Sequence, residues 1–486
     1  MNARRLLAAA VALAAVSLIT VTRAEGPANA AALRQDAAAR GDQQDLAVTV
    51  YNSSLALVRD VREFALPSGE SDLSFIDIAA TINPATMHFR SLTDPARVSV
   101  LEQNYEYDLL EPEKLLRKYV GREVTLVRTS MEGGSTRREE VKATLVSLNN
   151  GPIWKIGNEY VTGLGSDHIR FPELPSNLYS RPTLVWRLLN QGGPRHRIEA
   201  SYLAGGLSWQ SDYVLTVARD DASAGLDAWV TLTNESGTAF RRATLQFVAG
   251  DLNRIQPAQH RRTLEMMADA KASAAGMVEE AFSEYHLYTL GRRSTIENQQ
   301  TKQLALLSGS GVPVEKRYVV DGQSFYYRNR RSPGAPIKDQ VQVFYRLRND
   351  ARSGLGAPMP AGIVRVYQAD AKGGLQFVGE DRIDHTPKDE TIDLKIGNAF
   401  DVVCERSQTD FEKISDQIYE MEFAITLRNH KTSPVTVQVN EPVGGTWKML
   451  HSTHKWEKTA AWAAQFTVPV AADGTAVLKY RVRVTY

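Results

Sequence analysis

The sequence predicts a mainly β, multidomain fold: immunoglobulin-like β-sandwich modules, one small SH3- or Sm-like barrel module and few helices. Three observations lead there. Apolar and polar residues alternate along many short segments, which is the period of a strand with one buried face. A strand pattern ending in asparagine recurs along the chain. Segments with helical spacing are scarce.

The first element is an export signal. Arg4 and Arg5 give the positive start, residues 6–21 are an unbroken run of apolar and small side chains, and Ala28-Asn29-Ala30 fits the small-x-small cleavage rule. Thr22-Arg23-Ala24 is an alternative cleavage site. An uncleaved anchor is the other reading of the run, which falls short of the ~20 apolar residues of a spanning helix. No later stretch is long and apolar enough to span as a helix. The expectation is a periplasmic or otherwise extracytoplasmic protein, exported with a signal peptide over 1–30. With no Cys near the cleavage region, it is not expected to be a lipoprotein.

Residues 31–45 follow as an Ala-rich, polar, flexible leader. Residues 46–104 read as an N-terminal β module that opens with a strand at 46–51. Residues 105–175 read as the barrel-like module. It has a short helix at 111–119, with Leu115 and Leu116 on its apolar side, then strands at 122–128 and 141–148. Residues 181–254 read as a β-sandwich part. Residues 255–283, rich in Ala, Met and Glu, read as a helical or flexible insertion, with a helix candidate at 261–282. Residues 284–486 make a C-terminal β-sandwich block, with strands at 363–367 and 435–439. The last strand is the clearest: Ala476, Leu478, Tyr480, Val482, Val484 and Tyr486 point one way, Lys479, Arg481 and Arg483 the other.

The asparagine pattern occurs as Val48-Thr49-Val50-Tyr51-Asn52, Trp186-Arg187-Leu188-Leu189-Asn190, Val230-Thr231-Leu232-Thr233-Asn234, Tyr345-Arg346-Leu347-Arg348-Asn349 and Ile425-Thr426-Leu427-Arg428-Asn429. Alternation buries one face of each strand. The Asn side chain then bonds the backbone that follows and tolerates a turn.

Charge excludes one class of partner. The chain carries 57 basic and 56 acidic residues, a net +1, whereas a nucleic-acid binder usually carries a basic excess. The single cysteine, Cys404, rules out an intramolecular disulfide and sits in an apolar run, which predicts a buried, inert thiol.

Four longer motifs carry a family resemblance. They are Tyr202-Leu203-Ala204-Gly205-Gly206-Leu207-Ser208-Trp209-Gln210-Ser211-Asp212-Tyr213, Phe247-Val248-Ala249-Gly250-Asp251-Leu252-Asn253-Arg254, Glu284-Tyr285-His286-Leu287-Tyr288, and Gly379-Glu380-Asp381-Arg382-Ile383-Asp384-His385-Thr386-Pro387-Lys388-Asp389-Glu390. Together they resemble the bacterial domain of unknown function 4139 family, related to the mucoidy inhibitor A group. The resemblance implies an exported, β-rich protein associated with the cell envelope, and it supplies no catalytic residues. The chain lacks the long coiled-coil insert of the mucoidy-inhibitor relatives.

No Gly-x-Ser-x-Gly elbow, Walker loop, His-Glu-x-x-His or dinucleotide-binding glycine turn is present. No catalytic residue, cofactor or metal is expected. The residues to examine for a metal are His385, Asp389, His430, His451 and His454, on loops of the C-terminal block, where imidazoles and a carboxylate could hold Zn²⁺. Lys388, Lys431 and Lys455 between them would oppose a cation. The alternative is structural, with Asp384 and Asp389 bonding turn amides and Pro387 fixing the bend. Tyr202, Trp209, Tyr213, Trp186 and Trp229 read as core, with a sugar-binding face as the alternative. Tyr326-Tyr327-Arg328-Asn329-Arg330-Arg331 reads as a solvated strand end, with contact to an anionic surface as the alternative.

The function expected from these features is non-enzymatic: an envelope protein that binds or scaffolds a protein or polysaccharide partner through strand edges and loops. A metal-dependent hydrolase using the histidine loops is the first alternative. An outer-membrane β-barrel, suggested by the aromatic-ended last strand, is the second.

Overall fold

The computed structural model describes residues 42–106, 111–132, 135–163, 168–175, 181–250, 277–282, 285–328, 330 and 336–486. The expected signal peptide, residues 31–41 of the expected leader and residues 261–276 of the helix candidate lie outside them, while residues 42–45, expected to be flexible leader, are the start of a strand instead. The described chain is mainly β, as the alternation predicts. Its strands make five sheets, and the one α-helix among the described residues is Pro112–Lys118.

Contacts divide the chain into two compact units. One holds 66–77 and 99–194, and the other 43–65, 78–98 and 195–486. These lines differ from the module boundaries expected from the sequence. The stretch read as one N-terminal module supplies Asp42–Tyr51 and Leu55–Ala65 to the eight-stranded sheet of the larger unit, and Gly69–Ile76 to a sheet of the smaller. Long-range pairing decides this. Val48 and Val50 lie in parallel register with Leu245 and Phe247, about two hundred residues on, and a local pattern cannot report such a partner.

In the smaller unit the helix Pro112–Lys118 starts at a proline, with Glu113 in its first turn and Arg117 and Lys118 in its last, each matching the helix dipole. Leu115 and Tyr119, four apart, share the buried face. They pack on Val124, Leu126, Leu145 and Trp154 from an antiparallel five-stranded sheet. Its order is His168–Arg170, Glu123–Glu132, Ser135–Ser147, Ile153–Ile156, Glu159–Thr162. The outermost strands have three and four residues and do not pair with each other, so the sheet stays open and the expected barrel does not close. A second sheet pairs Thr183–Asn190 with Gly69–Ile76, and Trp186 is buried edge-on to Phe75, the ring centres 5.4 Å apart.

In the larger unit, a ten-stranded sheet runs in the order Leu375–Ile383, Gly362–Ala369, Leu207–Val217, Ser223–Asn234, Gln300–Asp321, Val435–Glu441, Ala463–Val470, Trp456–Ala460. Gln342–Arg348 and Thr391–Asn398 branch from it. A five-stranded sheet packs against its second half: Ile337–Asp339, Val402–Lys413, Ile418–Asn429, Gly474–Thr485, Thr446–Ser452. Val437, Val439, Phe466 and Val468 from one layer meet Phe423, Ile425, Leu427, Leu478, Tyr480 and Val482 from the other, a sandwich core. Cys404 is fully buried in this core, and burial pushes its thiol up to about 12. Met277–Phe282, the described end of the expected helical or flexible insertion, is a strand instead. It pairs with Tyr285–Leu290, buries Met277, and sets the Glu279 carboxylate 2.8 Å from His286 Nδ1.

Four of the five patterned asparagines form one repeated device. Asn190, Asn234, Asn349 and Asn429 are all buried at strand ends. In Asn190, Asn234 and Asn429 the side-chain oxygen accepts from the amide two residues on, and in Asn349 from Gly356. In each, Nδ2 donates to carbonyls of separate loops: Asn234 to Thr238 and Glu297, Asn349 to Ala357 and Pro387, Asn429 to Ser433 and Ala471. Asn52 departs from the set. It is exposed in the tight turn between Asp42–Tyr51 and Leu55–Ala65.

Candidate functional site

The sequence-selected histidines come to rest on separate loops and strands. Ala361 N donates to His385 Nδ1 at 3.2 Å, and His430 N donates to the Asp401 carbonyl at 2.7 Å. His451 lies in Thr446–Ser452 opposite Arg481, and His454 Nδ1 sits 2.9 Å from Thr453 Oγ1. Asp389 adopts φ 67°, and its amide donates to the Asn349 carbonyl at 2.7 Å. That turn is held through its backbone, with Pro387 O accepting from Asn349 Nδ2, rather than by the expected Asp carboxylates. Among the described residues no three His, Cys, Asp or Glu side chains gather where they could hold a metal ion.

The aromatic zone is core at Trp186, Tyr202, Trp209 and Tyr213, while Trp229 is 39% exposed. Tyr202 Oη accepts from Ala79 N, and Tyr213 Oη donates to the Pro360 carbonyl.

Tyr326 and Tyr327 correct the expectation of a solvated strand end. Both are buried, because a 3-10 turn, Ser324–Tyr327, folds them into the sandwich. There they surround Arg406, which is 1% exposed. Arg406 Nε donates to Asp339 at 2.7 Å, and Nη1 to Glu441 at 2.5 Å. Tyr327 Oη donates to Glu441 and stands 2.8 Å from Tyr480 Oη, and the guanidinium lies 4.9 Å from the Tyr326 ring centre. Burial opposes the Arg406 charge, but Glu441 and the tyrosines outweigh it and hold the guanidinium protonated; burial pushes the Tyr327 and Tyr480 hydroxyls up. Sequence reading missed this network, because its members come from five separate segments. The one local signal was Arg406, an arginine at the inward-facing position two residues after Cys404.

One open strand lies at one end of the ten-stranded order. Leu375–Ile383 pairs with Gly362–Ala369 on one side only. Between Gly379 and Asp381 the strand Thr391–Asn398 comes close. A Cβ on Gly379 would lie 2.3 Å from the Ile396 carbonyl oxygen, and Lys395 N donates to Asp381 at 2.7 Å. Ahead of that approach, Leu375, Phe377 and Val378 are 60%, 56% and 37% exposed. Phe377 packs edge-on with Tyr367, the ring centres 5.6 Å apart. Beside it opens a cavity of about 190 Å³, lined among others by Val378, Gln368, Tyr345, Lys316, Lys431 and Phe400. Phe400 is 94% exposed, an uncommon position for so large an apolar ring.

Three of the polar groups that line this cavity meet on Asp221. Asp221 accepts from the Tyr345 hydroxyl, from Lys316 Nζ at 2.9 Å and from Gln368 Nε2 at 2.9 Å. Burial raises the Asp221 carboxyl, but the bonds from Tyr345 and Lys316 win and hold it below the ordinary carboxylate range. Burial, aided by Asp221, drives the Tyr345 hydroxyl far up. Its proton is therefore held, and Lys316 is neutralised by an anion in contact. The cavity's volume is below the ~300–1,000 Å³ of pockets that enclose small molecules.

A comparison with protein-family models finds none that matches the chain, and a comparison with curated proteins finds no match.

Proposed function

We propose that this is an exported, non-catalytic envelope protein, of the kind implied by the resemblance to the domain of unknown function 4139 family, that binds or scaffolds an envelope partner. The observation that carries this reading is the one-sided strand Leu375–Ile383 with Phe377 and Phe400 exposed beside it. A strand end with unpaired amides and carbonyls favours a polypeptide partner over a polysaccharide, because an added strand satisfies both groups in register. The 190 Å³ cavity then accepts one side chain of that partner. The positive start, the apolar run and the Ala28-Asn29-Ala30 site support export.

The test is a pull-down from the native envelope with the parent protein and with a Phe377→Ser/Phe400→Ser variant. Both side chains are exposed, so the fold should be kept within about 0.5 kcal/mol for each change. The expected result is a reproducible protein partner that the variant fails to retain. Equal retention by parent and variant would remove this surface from the proposal.

A further inference from the structure

A second surface lies at the opposite end of the same strand order. Trp456–Ala460 is the last strand there, paired on one side only, with Ala463–Val470. Thr446–Ser452, just before it in the chain, is the last strand of the five-stranded sheet. One short segment thus ends both sheets of the sandwich. The two edges meet: the Trp447 and Trp456 rings are 5.8 Å apart, and Lys458 Nζ lies 4.7 Å from the Trp447 ring centre. Trp447 is buried and its indole donates to the Ala461 carbonyl, which fixes the hairpin that carries Trp462.

What this edge presents is unusual in kind. Trp462 is 61% exposed at the hairpin tip, Leu450 is 38% and Trp456 is 36%. Lys448, Lys455 and Lys458 are exposed around them, and none makes an ion pair among the described residues. The one acid within 446–462 is Glu457. Lysines alone would be the ordinary means of blunting a sheet edge against aggregation. They do not explain two exposed indoles and a leucine at the same place, since large exposed rings are a cost in water that a purely protective edge avoids.

Indoles with lysines held in no ion pair are the composition that settles at a bilayer interface. The ring sits at the headgroup level with its N–H wet, the leucine reaches the acyl boundary, and the ammonium groups meet anionic headgroups. We propose that segment 446–462 is a peripheral attachment site for an anionic phospholipid surface. A soluble polyanion would need the lysines but would gain little from Trp462 at the tip. The proposal does not depend on the partner site at Leu375–Ile383, which lies at the other end of the strand order.

The test uses vesicles of phosphatidylglycerol with phosphatidylcholine, and vesicles of phosphatidylcholine alone. The protein should sediment with the anionic vesicles at low salt and be released as salt screens the lysines. A Lys448→Gln/Lys455→Gln/Lys458→Gln variant should lose about five-fold in partitioning per lysine, roughly a hundred-fold together. A Trp456→Ser/Trp462→Ser variant should also lose binding and the blue shift of tryptophan fluorescence. All variants carry the same N-terminus, so differences among them report on this segment. Should a variant fail to fold, quenching of the parent's fluorescence by brominated anionic lipid reads the same contact. Absence of binding by the parent, equal binding to phosphatidylcholine alone, or unchanged binding by the tryptophan variant would each overturn the proposal. In the last case, retained binding to heparin would point to a polyanion instead.

Discussion

A buried amide with every polar atom used is the residue-scale unit of this protein. Asn429 satisfies Lys431 N, Ser433 O and Ala471 O from one fully enclosed side chain. Replacing it by alanine leaves those backbone groups to be hydrated or orphaned. An unsatisfied buried group costs about 1–3 kcal/mol. Asn429→Ala should therefore lower the melting temperature by several degrees in thermal unfolding, while Asn52→Ala, in an exposed turn, should melt within experimental error of the parent. Equal effects would mean that the shared sequence pattern, and not the second loop, does the stabilising. The pattern itself was legible: alternation followed by Asn predicted the strand ends. The distant carbonyls were not legible, because Glu297, Pro387 and Ala471 reach their asparagines only through the fold. The same limit hid Arg406, whose partners Asp339 and Glu441 lie on other strands.

At the scale of elements, face assignment follows alternation where one side of a strand is plainly apolar. In Leu207–Val217 the side chains of Leu207, Trp209, Ser211 and Tyr213 share a buried face, as their spacing indicates. Trp209 meets Phe247, 5.5 Å away in the eight-stranded sheet, so it packs between layers. Trp209→Ala should cost roughly 3–5 kcal/mol through lost burial and the cavity left behind, seen as a large fall in melting temperature or loss of soluble protein. A variant that melts like the parent would contradict this packing. Alternation did not foresee Asp212, buried on the other face, where Arg365 Nη1 donates to it at 3.0 Å.

The branch strands are joined by charge as well as by ladder bonds. Arg346 donates twice to Asp393, at 2.7 Å each, and Arg317 Nη1 reaches both its oxygens, at 3.2 and 3.4 Å, so Asp393 links three strands. The bond from Arg346, working against burial, holds the Asp393 carboxyl below its ordinary value. A carboxyl depressed in the folded state contributes in full above its unfolded pKa, about 3.9, and the contribution is lost as pH falls through the folded value. The melting temperatures of the parent and of Asp393→Asn should differ at pH 7 and converge below about pH 4. A gap that persists unchanged to pH 2 would show that the carboxylate charge is not what joins these strands.

For the whole molecule, strand order is central: the sandwich layers are closed by tied loops, and the proposed recognition uses a strand left with one free side. Class was readable from the sequence, since a β period and sparse helices suffice for it. Topology was not, because Leu55–Ala65 and Arg195–Gly205 pair across 130 residues and more, and no local pattern encodes such a partner. The exposed rings of Phe377 and Phe400 were equally hidden, since an aromatic in an alternating strand reads as core until the sheet is seen to end there. Site-specific photocrosslinking in the native envelope tests the central claim most directly. A benzophenone side chain placed at Phe377 should yield one discrete protein adduct, whereas the same probe at Tyr160, 67% exposed on the smaller unit, should yield none. No adduct at Phe377 and Phe400, or the same adduct from Tyr160, would contradict it.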